Sequence, residues 1–257
     1  MAKTLFILTT IILGAFGLPT ADQSLKIDPL LSWRVVGGSD AQSGEFPYQI
    51  SIRTRSNSHN CGGSIIDTTT ILTAAHCIVG TYPSDITVVC GSHKLSTGGV
   101  RYEVSKIIPH EDYDNFFKIN DIALLKLKNP IEYTNEIQPV NLETEDVGEG
   151  EDVLLTGWGS TSYPGSAPDN LQKLLLNTIT VEDCRARHGW PIVVSTQICT
   201  LTKQGEGACH GDSGGPLVST KRNTQVGIVN WGQPCARGYP DVFARVSSYT
   251  EWINANK

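Results

Sequence analysis

The sequence predicts an all-β protein, a sandwich or a barrel, that ends in one short helix. Three observations carry this expectation. Short β-branched or alternating runs recur from Phe46 onward, at 48–53, 64–66, 71–74, 86–89, 122–127, 153–156, 174–181, 225–231 and 242–246. The chain holds 25 Gly and 13 Pro, and with Asn and Asp they punctuate those runs as turns. At the end, Ser248-Tyr249-Thr250-Glu251 has the spacing of a capping box, which would start a helix with Trp252 and Ile253 on its core side.

Taken in order, the chain begins with a leader. Residues 1–17 have Lys3, an apolar core over 5–16 broken only by Thr9, Thr10 and Gly14, and the small residues Ala15 and Gly17 ahead of a cut after Gly17. A membrane anchor is the alternative, but spanning a bilayer takes about 20 apolar residues, and the run is shorter. The expected product is secreted, extracellular and without a membrane partner. Residues 18–34 are mixed and aperiodic. They form either an ordinary unstructured N-terminus or a propeptide cut after Arg34 to free Val35-Val36-Gly37-Gly38. The remainder, 35–257, is long enough for two compact halves. Their boundary is expected near 140–152, where the acidic stretch 143–152 is a linker or a solvated loop.

Composition excludes several classes. With 39% hydrophobic and 18% charged residues and no low-complexity tract, the 257-residue chain is neither collagen, coiled coil nor wholly disordered. The net charge of −6, with no basic block, argues against a nucleic-acid partner, because phosphate binding needs clustered Lys and Arg. Seven cysteines in an exported protein are candidates for disulfides.

Three segments carry chemistry: Leu72-Thr73-Ala74-Ala75-His76-Cys77, Asn120-Asp121-Ile122, and Gly211-Asp212-Ser213-Gly214-Gly215-Pro216. Each alone is an ordinary strand end or turn. Together they hold what nucleophilic catalysis requires. A serine hydroxyl needs a base within hydrogen-bond reach. Histidine titrates near neutrality and suits that role. An aspartate holds the imidazole in the right tautomer. The glycines let backbone N–H groups converge on one oxygen.

These segments, with Val35-Val36-Gly37-Gly38, Gly157-Trp158-Gly159 and Asn230-Trp231-Gly232, resemble the chymotrypsin/trypsin family of serine endopeptidases over 35–257. The resemblance implies two antiparallel six-stranded β-barrels with a C-terminal α-helix, and a site in the cleft between them. It implies that His76 acts as base, Asp121 orients it and Ser213 attacks, with the N–H groups of Gly211 and Ser213 as oxyanion hole. It implies a zymogen in which the freed amino group of Val35 pairs with Asp212. It pairs Cys61 with Cys77, Cys184 with Cys199, and Cys209 with Cys235, one of the 15 arrangements that six cysteines allow. Cys90 is left over, as a buried thiol or an intermolecular bridge.

The resemblance also places a substrate pocket at Gly207, Ala208, His210, Asn230, Trp231, Gly232 and Asp241. Gly207 stands where trypsin-like relatives carry an aspartate. An open apolar pocket therefore favours large aromatic or aliphatic side chains. Asp241 admits a second outcome: pointing inward, it would attract Lys or Arg; held by backbone N–H groups, it would only narrow the pocket. Asn230 replaces a serine that in relatives donates to the catalytic aspartate, and its bulkier amide keeps a donor. Residues 91–101 contain no Asp or Glu, so no calcium is expected there. No cofactor and no metal are expected. The expected partners are protein and peptide substrates, an activating protease and protein protease inhibitors, with the chain a monomer in digestion or a simple effector role. A catalytically silent binding protein on the same scaffold is the rival reading.

Overall fold

A computed structural model of the chain describes Met1 and residues 35–257, apart from residues 163, 190–192, 202 and 234. The expected signal peptide beyond Met1, the propeptide and Arg34 lie outside the described residues.

A two-residue strand β1 (Ser39–Asp40) leads into six more: β2 (Gln49–Thr54), β3 (His59–Ile65), β4 (Thr70–Thr73), β5 (Ile86–Cys90), β6 (Val100–Pro109) and β7 (Ala123–Leu127). These six close into an antiparallel barrel in the order β2-β3-β4-β7-β6-β5. After β8 (Asn141–Leu142) come β9 (Asp152–Gly157), β10 (Gln172–Ile179), β11 (Gln197–Thr200), β12 (Pro216–Ser219), β13 (Thr224–Gly232) and β14 (Asp241–Arg245). They form a second antiparallel ring, β9-β10-β11-β14-β13-β12, closed by the β9–β12 pairing. β1 extends β10, and β8 lies parallel to β13. Closure removes exposed strand edges, which an open sheet would have to protect.

The residues explain the strands. In β10, Gln172, Leu174, Leu176 and Thr178 point inward while Leu175 is half exposed, the period-2 pattern of a half-buried strand. Ile50, Ile52, Ile65, Ile71, Leu72, Val88, Leu124 and Leu125 fill the first barrel. Val153, Leu155, Leu176, Ile198, Leu217 and Phe243 fill the second.

Besides the two-residue β1 and β8, three strands escape the periodicity. β6 alternates as Val100, Tyr102 and Val104, but a bulge between Val104 and Lys106 shifts its register and breaks the pattern. β11 and β12 are only four residues each. A helix, α1 (Val181–His188), replaces the end of the run expected as strand to 181. Its start is signalled locally: the Thr180 hydroxyl accepts from the Asp183 N–H at 3.0 Å, and left-handed Gly189 ends it.

The C-terminal helix α2 (Thr250–Asn256) is present, but the expected capping box is not. The backbone already turns at Val246 in a 3₁₀ segment, Val246–Tyr249, so Ser248 lies within the helical segment rather than before it. Packing sets the entry instead. Val246, Tyr249 and Ile253 are buried in the core of the first barrel, and the Trp252 ring stacks on His110 at 5.0 Å. Burying a side chain such as Ile253 is worth about 1.5–3 kcal/mol.

The acidic stretch is not simply solvated. Glu143 is buried and accepts the N–H groups of Thr144 and Glu145 and the Thr224 hydroxyl, with Arg222 beside it. Residues 91–101 are tied by a carboxylate from elsewhere: Asp169 accepts the Ser96 N–H at 2.7 Å and its hydroxyl at 2.9 Å.

Candidate active site

His76 lies in a 3₁₀ turn, Ala75–Cys77, immediately after β4, and Asp121 lies just before β7. β4 and β7 pair with Thr73 opposite Ala123, so both residues leave the barrel at the same end. The fully buried Asp121 carboxylate takes two hydrogen bonds from His76, from its backbone N–H at 2.8 Å and from Nδ1 at 2.6 Å. An ionised carboxylate only accepts, so Nδ1 is the donor in this pair.

Ser213 belongs to the second barrel but is pressed against the first. Its carbonyl accepts the Gly62 N–H at 2.9 Å, and the Gly214 N–H bonds to Val229 O at 2.9 Å. A side chain at Gly214 would collide with the Thr73 hydroxyl and meet Ala74 N at 3.1 Å. That close approach brings the serine loop onto the chain that leads into His76. Gly211, in the left-handed region at φ 104°, turns its carbonyl toward His59, whose Nε2 donates to it at 2.9 Å. His59 Nδ1 faces the Ser51 hydroxyl at 2.8 Å, and Ser51 Oγ accepts from Arg53 Nε at 3.1 Å. Burial, with a smaller contribution from Arg53, lowers the His59 pKa, and the Gly211 carbonyl opposes this only in part. Nothing local in the sequence signals that His59 has a partner 152 residues away.

Asp212 is fully buried. Its carboxylate accepts the Gly159 N–H at 2.7 Å and the Cys209 N–H at 2.9 Å, and burial raises its pKa to about 6 despite those bonds. The motif Gly157-Trp158-Gly159 follows from this, since a Cβ at either glycine would fall inside the carboxylate. Gly159→Ala should therefore destabilise the protein by about 1–3 kcal/mol, the usual range for overpacking. A melting temperature within 1 °C of wild type would refute that (about 1 °C corresponds to well under 1 kcal/mol). Val35 is wholly buried in the second-barrel core, and the Val36 carbonyl accepts the Gly207 N–H at 3.1 Å.

A cavity of about 190 Å³ opens beside Ser213, lined by Ala208, His210, Asn230, Trp231, Gly232 and Asp241 among others. Gly207, next to Ala208, is buried behind the cavity wall. The Asp241 carboxylate covers it, and a Cβ at Gly207 would lie 2.5 Å from Asp241 Oδ2. The Asp241 carboxylate lines the cavity and is held by a backbone N–H. Oδ2 accepts the Ala208 N–H at 2.7 Å, while Oδ1 faces the wall 2.9 Å from where a Gly232 side chain would begin. Burial raises its pKa to about 7; the Ala208 N–H opposes this and the charge of Asp212 adds to it. Behind Trp231 stands His188, 4.8 Å between ring centres, donating from Nε2 to Pro240 O at 2.9 Å. The Asn230 amide keeps its donor role but donates to Lys118 O at 2.9 Å and not to Asp121.

The three disulfides are Cys61–Cys77, Cys184–Cys199 and Cys209–Cys235. The first ties β3 to the His76 turn. The third joins the serine loop to the segment after β13. Loops of these separations, 15 to 26 residues, are each worth roughly 3 kcal/mol by chain entropy. Cys90 is a buried free thiol, its pKa pushed up to about 12 by burial. Among the described residues one group of His, Cys, Asp and Glu side chains is close enough to share a metal, namely Cys61, His76 and Cys77. Its two sulfurs are joined to each other.

A family profile described as Trypsin matches residues 35–253. The chain is 44% identical to Chymotrypsin-2 of Vespa crabro over 224 residues, covering 87% of this chain and all of that protein. It is 38% identical to Trypsin-1 of Astacus astacus, over 86% of this chain and 99% of that one. The chain belongs to the trypsin family. This trypsin-family chain is a serine endopeptidase, and its substrates are proteins. Among the described residues no helix is long and apolar enough to cross a membrane.

Proposed function

We propose that Ser213 attacks the substrate carbonyl, that His76 takes its proton and returns it to the leaving amine, and that Asp121 orients His76. The N–H groups of Gly211 and Ser213 stabilise the oxyanion, and losing one such donor typically costs about 10²–10³ in rate. The His76–Asp121 pair, at 2.6 Å with Asp121 fully buried, carries this reading. The backbone of Asn230 to Gly232 pairs with the substrate as an added strand. His210, exposed on the rim of the cavity, contacts the substrate.

The substrate is cleaved after a large aromatic or aliphatic residue. Support comes from the small walls Ala208 and Gly232 and from the likeness to a protein named as a chymotrypsin. Profiling the activated enzyme on Phe, Leu and Arg peptides tests it, and a dominant Arg preference at neutral pH overturns it. Asp241 favours a second, weaker preference for Arg and Lys, and its sign follows from its pKa. Below about pH 7 the carboxyl is neutral, and above it the carboxylate faces the pocket. The ratio of kcat/KM for Arg over Phe substrates should therefore rise between pH 6 and 8, by severalfold as the ionised fraction grows. A flat ratio would rule out Asp241 as a reader of charge.

The chain is exported by the leader 1–17 and held as a zymogen until an activating protease cuts after Arg34. The new amino group of Val35 then pairs with Asp212. Protein inhibitors that fill the cleft are further partners of this monomeric enzyme.

A further inference from the structure

The residue at position 230 does not reach Asp121, yet it is 5% exposed and its Oδ1 is buried without a hydrogen-bond partner. A buried amide with an orphan oxygen is costly. What this side chain makes instead is one bond across the barrel interface, from Nδ2 to Lys118 O at 2.9 Å. The same carbonyl accepts a second amide from the second barrel, Gln197 Nε2 at 3.3 Å. Two residues on, Asn120 Oδ1 accepts from the Tyr249 hydroxyl at 3.1 Å.

The turn so held is strained. Lys118 has φ 54° and Asn120 φ 54°. Asparagine tolerates the left-handed region, but lysine does not favour it, and such a residue persists only when its surroundings hold it there. Asp121 follows directly. Among the described residues both hydrogen bonds to its carboxylate come from His76, so no donor from the second barrel fixes it.

We infer that Asn230 and Gln197 clamp the turn at Lys118 and thereby position Asp121 against His76. The second barrel, which carries the serine, thus sets the aspartate through the backbone three residues upstream of it. Asn230 and Gln197 act as positioning residues. The inference rests on the proposed roles of Asp121 and His76.

Asn230→Ala removes the shorter clamp bond. kcat should fall on the order of tenfold, below the roughly 10²-fold that a 1 Å misplacement can cost, with KM changed by less than about twofold. The acid limb of kcat/KM against pH should move to lower pH, because a misplaced carboxylate supports the protonated imidazole less well. Adding Lys118→Gly to Asn230→Ala should recover much of the kcat and restore the limb, since glycine adopts this φ without strain. Gln197→Met, at a residue outside the substrate cleft, should shift the limb the same way by less, and it serves if Asn230→Ala does not fold. An unshifted acid limb in the folded single variants, or a double variant no better than Asn230→Ala, overturns the clamp. His76→Ala separates the two readings: if it is inactive while the limb of Asn230→Ala is unshifted, the clamp fails and the triad stands; if His76→Ala is active, the triad fails.

Discussion

Ser213→Ala is expected to lower kcat on peptide substrates on the order of 10⁶-fold while leaving the fold intact. The loop is held by its backbone. Ser213 O accepts from Gly62 N, Gly214 N donates to Val229 O, and Cys209 is bridged to Cys235. Removing one hydroxyl disturbs none of these. A residual rate above that of water should survive, because the oxyanion hole and the binding surface remain. The check is threefold: turnover of a peptide amide, labelling by a serine-directed phosphonate, and the melting curve. Labelling or turnover near wild type in the variant would end the proposed role of Ser213, whereas a cut wild-type protein with neither labelling nor turnover would favour a binding protein on this scaffold. A large drop in melting temperature would instead show that Ser213 has a structural role.

The second large effect concerns Arg34→Gln, which should block activation and leave activity at least on the order of 10²-fold below that of the cut enzyme. The magnitude follows from Asp212. Its pKa is raised from the ordinary 3.8 to about 6. Keeping it ionised and buried without a cation costs about 3 kcal/mol at neutral pH, equivalent to about 10²-fold. The sign is fixed by linkage. A carboxyl with a raised folded-state pKa costs nothing below about pH 4; its cost grows from there to about pH 6 and is constant above. A paired ammonium removes that cost. The uncut variant should therefore lose melting temperature relative to the cut enzyme between pH 4 and 6, and the gap should persist above. Full activity of uncut Arg34→Gln protein, or melting curves that track each other across this range, would exclude the Val35–Asp212 switch.

Much of the site was legible because its chemistry is local. His76, Asp121 and Ser213 each sit in a short segment whose neighbours shape the proposed site. Gly214 is a clear case, since the same glycine that permits the turn also admits Thr73. Strands with clean period-2 burial, such as β10, were equally legible. β6 was not, because a bulge inverts its alternation halfway. α1 was missed although Thr180 and Gly189 mark its ends, because the preceding run of Leu and Ile reads as continuing strand. The capping box at Ser248 misled because burial of Val246 and Tyr249, rather than a hydroxyl, starts the final helical segment.

By itself the sequence determined the family, the all-β class and the short segments that hold His76, Asp121 and Ser213, because these depend on residue identity and short spacing. Only the tertiary structure decided where the remaining polar groups spend their hydrogen bonds. The His59 ring reaches Gly211 across 152 residues, and Asn230 passes Asp121 to reach Lys118 across 112. Asp241 splits its carboxylate between the Ala208 N–H and the pocket wall. Such bonds form only when two closed barrels come together, and a buried polar atom takes whichever partner that packing sets within about 3 Å.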